Sequence, residues 1–218
     1  MSALLYSPHA QGSEEWLKDR LGVITASEVH ALLPDSRSKI FKYKDARRAY
    51  MNQLIGEVCT GYSEEINAKA LEWGKVNEDA AVAAYEFTTG NQVEKIGLVY
   101  KDATKRAGAS ADFKIIGKLI GGENKCPITP KVHIDFILNG LVKPEYVSQV
   151  QFGLWITGWD EWHFTSYHPR MKARMLHYRE FKRDPELMDY FDSEIPKFCE
   201  EMDKELAKIG IPFGAQWV

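Results

Sequence analysis

"GASADFKIIGKLIGGENKCP", residues 108–127, carries one acid, then a short apolar stretch, then an acid and a lysine two positions apart. Residues 113–116 and 119–126 read as strands joined by a Gly-Lys turn, so the segment predicts a hairpin. Strand alternation puts Glu123 and Lys125 on one face and points Asn124 away. Asp112 sits at the far end of the partner strand, where the hairpin can return Glu123 towards it. Two carboxylates and an ammonium on one face suit magnesium chemistry. The hard cation takes carboxylate oxygens and keeps waters, and the lysine can steer or deprotonate one of them. Three unrelated charges on an ordinary hairpin are the alternative.

The triplet Glu-x-Lys with an acid upstream is a weak pattern, arising by chance in roughly every second chain of this length. Glu180-Phe181-Lys182 also fits, with Asp160 and Glu161 upstream. Glu180 lies among Arg179, Lys182 and Arg183, where a surface ion pair explains it. Glu123 instead follows Gly121-Gly122, and paired glycines in a strand mark close approach of another backbone or a ligand.

Outward from the hairpin, residues 92–100 and 105–111 also read as strands, as do 161–167 and 175–182. "TASEVHALLP" opens with Thr25 three residues before Glu28, a capping box, and predicts a short helix ending at Pro34. Residues 44–58, 67–88, 144–157 and 185–208 read as helices. Helices on either side of a strand-rich centre predict an α/β fold, a central mixed β-sheet flanked by helices. No repeat, low-complexity tract or linker divides the chain, so a single domain over 1–218 is expected.

Glu78 adds independent weight. On helix 67–88, Glu72, Lys75, Asp79 and Glu86 cluster on one side, while Glu78 falls on the seam with Leu71, Ala81, Val82 and Tyr85. An acid on a buried stripe is costly unless it is paired or binds a metal. A carboxylate at the rim of that stripe, or one paired with an arginine, is the plain alternative. Gln149 and Gln151 lie in an otherwise apolar helix and read as core amides. His30, His133, His163, His168 and His177 show no ligand spacing and read as structural or surface residues.

Composition sets wide bounds. The chain has 218 residues, 44% hydrophobic and 27% charged, as in soluble globular proteins. No apolar run approaches the roughly 20 residues of a membrane span, so no membrane partner is expected. The first residues lack a basic and apolar leader, and Cys59, Cys126 and Cys199 fit neither a disulfide framework nor a zinc site. A reducing cytoplasm is expected. The net charge of −3 argues mildly against nucleic acid. Its distribution does not: residues 36–48 and 169–183 each hold six basic side chains against one acid, and nine acids fall in 184–205. Basic surface can exist on a globally acidic protein, although solvated helix faces would read the same.

"EEWLKDRLGVITASEVH", "NAKALEWGKVNEDA", "GGENKCP", "VSQVQFGLWIT", "HPRMKARMLHY" and "IGIPFGAQWV" resemble, in order and spacing, segments of the YqaJ-type viral recombinase exonucleases, the lambda exonuclease family within the PD-(D/E)xK nucleases. The resemblance runs from about Trp16 to Trp217. It implies a restriction-endonuclease-like core and a homotrimer ring. The implied activity is Mg2+-dependent, processive 5′→3′ digestion of double-stranded DNA ends, leaving a 3′ overhang for recombination with a single-strand annealing protein in a phage's bacterial host. Carried over by position, Asp112, Glu123 and the Asn124 backbone carbonyl would bind one Mg2+, and Glu78 with Asp112 a second, with Mn2+ able to substitute. Lys125 would activate water and Gln149 would lie near it and the phosphate. Arg20, Ser27 and Ser110 fall where the family binds the 5′-phosphate, with Trp16 and Thr25 beside them. A dianion there suits a forked guanidinium and short hydroxyl donors. Leu71 falls at the strand-separating wedge, and Arg37 at an arginine reaching into the minor groove. Two departures stand out. Ala111-Asp112-Phe113 replaces Pro-Asp-Gly, so the turn after the acid must be made differently. Asn124 replaces an apolar residue, so its side chain needs a partner. An endonuclease on the same core, or a non-catalytic DNA-end-binding protein, are the rival readings.

Overall fold

The computed structural model describes residues 4–34, 41–63 and 69–218, with backbone alone at 41–44 and 69–71. In chain order it runs β1 (Leu5–Tyr6), α1 (Glu14–Asp19), β2 (Ile24–Thr25), α2 (Phe41–Thr60), α3 (Lys69–Thr89), β3 (Val93–Glu94), β4 (Val99–Tyr100), β5 (Ala107–Ala109), β6 (Phe113–Ile115) and β7 (Ile120–Lys125). Then come α4 (Pro130–Asn139), α5 (Pro144–Thr157), β8 (Glu161–Tyr167), β9 (Leu176–Lys182) and α6 (Pro185–Ile209). The strands pair as two sheets, β1-β4-β5-β2 and β3-β6-β7-β8-β9, both mixed in direction and flanked by helices.

The hairpin forms as expected. Phe113 pairs with Gly122 and Lys114 with Gly121. The two glycines, however, make room for rings rather than for a backbone or ligand. A Cβ on Gly122 would stand 2.0 Å from the Phe113 ring, and one on Gly121 would stand 2.6 Å from Trp162. Gly153 on α5 also meets the same indole, at 2.8 Å. The Phe113 ring, fully buried, also lies 4.5 Å from that of Tyr85 on α3. No turn follows Asp112: its N–H donates to Gly122 O at 2.9 Å and the chain enters β6 directly.

α5 is buried along most of its length, with Val150, Phe152, Leu154, Trp155 and Ile156 all in the core. It packs on β4 and β5 on one side and on β7, β8 and β9 on the other, which joins the two sheets into one core. α6 presents Met188, Phe191, Ile195, Phe198, Met202 and Leu206 to that core and its acids outward. Arg47 of α2 meets two of those acids, Glu194 at 3.1 Å and Glu201 at 2.6 Å. Part of the basic run 36–48 therefore answers the acidic helix; residues 36–40, including Arg37, lie outside the described residues.

Three local expectations change. The segment after Thr25 makes a single 3-10 turn, Val29–Leu32, and not an α-helix. Ile24 and Thr25 are committed to parallel pairing with Ala107 and Gly108. Thr25 N–H donates to Tyr50 Oη at 3.0 Å and its hydroxyl meets Ser27 at 3.2 Å, so the capping box does not close. The run 92–100 splits between the two sheets: Val93–Glu94 pairs with β6 and Val99–Tyr100 with β1 and β5, and Gly97 between them lies where an added Cβ would stand 2.8 Å from the His9 carbonyl. Finally, α4 forms where the sequence predicts no element. Pro130 opens it at the first helical position and left-handed Gly140 closes it. Among the described residues no helix is long and apolar enough to cross a membrane.

Candidate active site

Glu123 and Lys125 leave β7 on one face, as alternation requires, and Lys125 Nζ donates to Glu123 Oε1 at 2.6 Å. Gln149 Nε2, from α5, donates to the same oxygen at 2.7 Å, so this glutamine joins the Glu123–Lys125 group rather than serving the core as an amide. Gln151 does serve the core, bonding Lys182 O and Asp184 N–H at 2.8 and 2.9 Å. Asp112 stands beside the strand, its Oδ2 accepting from Asn124 N–H at 2.6 Å. The Asn124 side chain does find a partner for its oxygen, the Thr165 hydroxyl, while its Nδ2 is buried without one.

Glu78, Asp112, Glu123, Lys125 and Tyr146 line one cleft of about 640 Å³. Glu78 is half-buried at its rim rather than sealed in the stripe; Lys95 Nζ lies 3.8 Å away and is nearer to Asp79, at 3.0 Å. Leu71 belongs to the first turn of α3, and its side chain lies outside the described residues. Two features of the cleft escape the sequence reading. Tyr146 supports Lys125, whose ammonium stands 4.8 Å above the ring. It sits three residues before Gln149 on α5, the spacing of neighbours on one helix face. The second is the wall supplied by α4 through Val132 and Phe136.

A smaller pocket, about 110 Å³, opens beside the cleft and is lined by Arg20, Thr25, Ser27, Ser110 and Gln149 together with Asp112. Asp112 and no other acid belongs to both. Arg20 is half-buried, its guanidinium 4.4 Å from the centre of the Trp16 ring and Nη2 reaching Ser27 Oγ at 3.5 Å. The Ser110 hydroxyl is buried with no hydrogen-bond partner.

Electrostatics favour a cation in the cleft. Burial, and next the charge of Glu123, hold the Asp112 carboxyl well above the usual carboxylate range; Lys125 and the Asn124 amide pull the other way without compensating. Burial opposes the charge on Lys125, but Glu123 and then Asp112 outweigh it and leave the ammonium raised. Crowded, buried carboxylates with a single ammonium form a donor set that a divalent ion would relieve. The residues fit such an ion.

Residues 15–160 match the YqaJ-like viral recombinase domain, about two thirds of the chain. The chain belongs to that family. This recombinase domain is similar in structure to the alkaline exonuclease LHK-Exo of Laribacter hongkongensis, with 31% identity and a TM-score of 0.79 over 91% of this chain and 96% of that one. The structure of LHK-Exo in complex with dAMP gives 32% identity and a TM-score of 0.78, over 90% and 96% of the two chains. A phage-related exonuclease of Haemophilus somnus 129PT shares the fold, at 14% identity and a TM-score of 0.66 over 86% and 96% of the two chains. In sequence, the recombinase domain is also similar to ExoD, an uncharacterized protein of Escherichia coli (strain K12), at 46% identity over 76 residues, 35% of this chain and 87% of that protein.

Proposed function

We propose that this viral recombinase domain is a Mg2+-dependent, processive 5′→3′ exonuclease of double-stranded DNA, releasing mononucleotides from the 5′-phosphorylated strand and leaving a 3′ overhang for recombination. Membership of the family and likeness to an alkaline exonuclease support the nuclease assignment. The observation that carries the finer reading is the position of Asp112, on the wall shared by the acidic cleft and the Arg20 pocket. A terminal phosphate bound in that pocket would lie beside the acids, which suits removal of nucleotides from an end rather than cutting within a strand.

Asp112, Glu123, the Asn124 carbonyl and Glu78 are the residues that would hold Mg2+ ions, with Mn2+ as a substitute. When bound, such ions lower the pKa of coordinated water and offset charge on the leaving oxygen. The chain's own groups do the remainder. Lys125, kept charged beside Glu123, donates to and orients the attacking water. Gln149 holds Glu123 Oε1 and offers its amide near the phosphate. Arg20 presents a fork to the terminal dianion, Ser27 and Ser110 add hydroxyl donors, and Ser110 has no other partner to surrender. Trp16 fixes Arg20 from below, and Thr25 lines the pocket wall.

A homotrimer ring around DNA, a wedge at Leu71, minor-groove contact by Arg37, a single-strand annealing partner and a cytoplasmic place of action belong to the same proposal and rest on the family resemblance. The test is a time course on linear duplex, with and without 5′-phosphate, in Mg2+ and in EDTA, beside a covalently closed circle. Mg2+-dependent release from the phosphorylated linear duplex alone is expected. Cutting of the circle, or release in EDTA, would overturn the reading. Sedimentation should give three times the chain's 24.9 kDa.

A further inference from the structure

Glu161, His163 and Glu180 meet on the face of the five-stranded sheet opposite Glu123 and Lys125. His163 and Glu180 are directly paired across β8 and β9, and Glu161 is two residues before His163 on the same face. β8 runs parallel to β7 with Glu123 beside Phe164 and Gly122 beside His163, so the two groups of side chains leave the sheet on opposite sides. Their ligand atoms lie within 4.8 Å of one another.

We propose that Glu161, His163 and Glu180 form a binding site for a divalent transition-metal ion of the zinc class, separate from the ions of the catalytic cleft. Imidazole with carboxylates is a donor set suited to zinc, whereas magnesium takes oxygen ligands and waters. The buried imidazole is already oriented: Nδ1 meets Tyr85 Oη at 2.6 Å, leaving Nε2 towards Glu161 Oε1 at 2.7 Å. Holding the remote nitrogen in this way is how proteins fix a metal-binding histidine. The Tyr178 ring stacks on the imidazole, its centroid 5.6 Å away, and limits its rotation. An Nε2 lone pair cannot face a carboxylate unaided; a proton or a metal must lie between them. A metal gains Glu180 as a third ligand, which the proton cannot use. Tetrahedral zinc places its ligand atoms about 3.3 Å apart, so Glu161, now 2.7 Å from Nε2, opens slightly and the exposed Glu180 closes in, each by side-chain rotation. Waters complete the coordination. An ion there would tie β8 to β9 and, through Tyr85, both strands to α3.

The reading of these residues does not depend on the nuclease proposal. The full chain carrying Asp112→Asn and Glu123→Gln, stripped of metal, is titrated with Zn2+ by calorimetry and with Co2+ by visible absorption. One saturable equivalent of Zn2+ and a Co2+ ligand-field band are expected. Adding Glu180→Gln, an exposed change that spares the fold, should weaken Zn2+ by more than the about 10–100-fold that outer-shell changes cost. His163→Gln should remove the band. No saturable Zn2+ uptake, or equal affinity with and without Glu180→Gln, would overturn the site and leave the Glu161–His163–Tyr85 chain as a packing feature. If His163→Gln does not fold, the Glu180→Gln comparison decides alone.

Discussion

Gln149 and Lys125 converge on a single oxygen: Glu123 Oε1 accepts from the amide at 2.7 Å and from the ammonium at 2.6 Å. Glu123 is 3% exposed, so this oxygen has little access to water and its two donors fix its position. Lys125→Ala removes the charged donor that holds Glu123 and orients the water. Loss of one preorganised donor at a reacting centre costs about 10²–10³ in rate. Nucleotide release from linear duplex should fall by at least the lower figure, while gel-shift affinity for the duplex end stays near that of the parent. An unchanged rate would remove Lys125 from the active site.

On the proposed reading, Arg20 would set the preference for a phosphorylated end. A hydrogen bond to a charged group contributes about 1.5–3 kcal/mol, which is roughly 10- to 100-fold. Arg20→Ala should reduce the ratio of rates on 5′-phosphorylated and 5′-hydroxyl duplex by that order. Arg20→Lys keeps the charge but loses the fork, and should recover part of the ratio. The measurement is the paired rate on the two ends; equal ratios in variant and parent would reject the pocket.

What could be read from the sequence divides along physical lines. Glu123 and Lys125 share a face by strand alternation, a local property, and the hairpin that brings Asp112 to Asn124 is only a few residues long. Helix periodicity likewise separated Glu78 from its solvent-facing neighbours, although it overstated the burial. The two-residue pairings β2, β3 and β4 are too short for any period, so the division into two sheets was hidden. α4 was hidden because prolines 127, 130 and 144 read as breakers and because its apolar residues are poorly sided: Phe136 is buried while Leu138 is 72% exposed. Gly121-Gly122 signalled a close approach, yet nothing local says that the visitor is an aromatic ring from a neighbouring strand. The meeting of Glu161 with His163 and Glu180 needs the register of β9 against β8, which spacing along one strand cannot give. The chance-looking triplet at Glu180 and its upstream acid do come together, though around a histidine.

The metal-free cleft should be strained by its own charge. Asp112 has a raised pKa in the fold, so the folded state holds a proton that the unfolded chain has already released. Stability therefore falls as pH rises from the ordinary carboxylate range through the raised value, the opposite of a salt-bridged aspartate. Asp112→Asn removes this dependence and keeps an oxygen to accept from the Asn124 amide. The variant should melt higher than the parent at neutral pH in EDTA, each kcal/mol gained being worth about 2–4 °C in Tm. Added Mg2+ should raise the parent's Tm and leave the variant's nearly unchanged. Melting curves across pH, with and without Mg2+, check both statements; a parent that gains stability with pH over that window would contradict them.

Gly122 is where the fold and the site depend on each other. An added Cβ would stand 2.0 Å from the Phe113 ring, a contact that neither ring nor strand can absorb in place. Phe113 is fully buried and its ring lies 4.5 Å from that of Tyr85, so it has no free direction to retreat. Gly122→Ala should therefore destabilise by about 1–3 kcal/mol or more, as overpacking does. Because Gly122 O also accepts the Asp112 N–H at 2.9 Å, a shift of the strand should displace Asp112 and lower activity further than the loss of folded protein explains. Phe113→Leu in the same chain frees space above the new methyl and should restore part of the stability. Denaturant titration of the parent, both single variants and the double variant gives the coupling energy. A coupling near zero would mean that the two positions do not share this space.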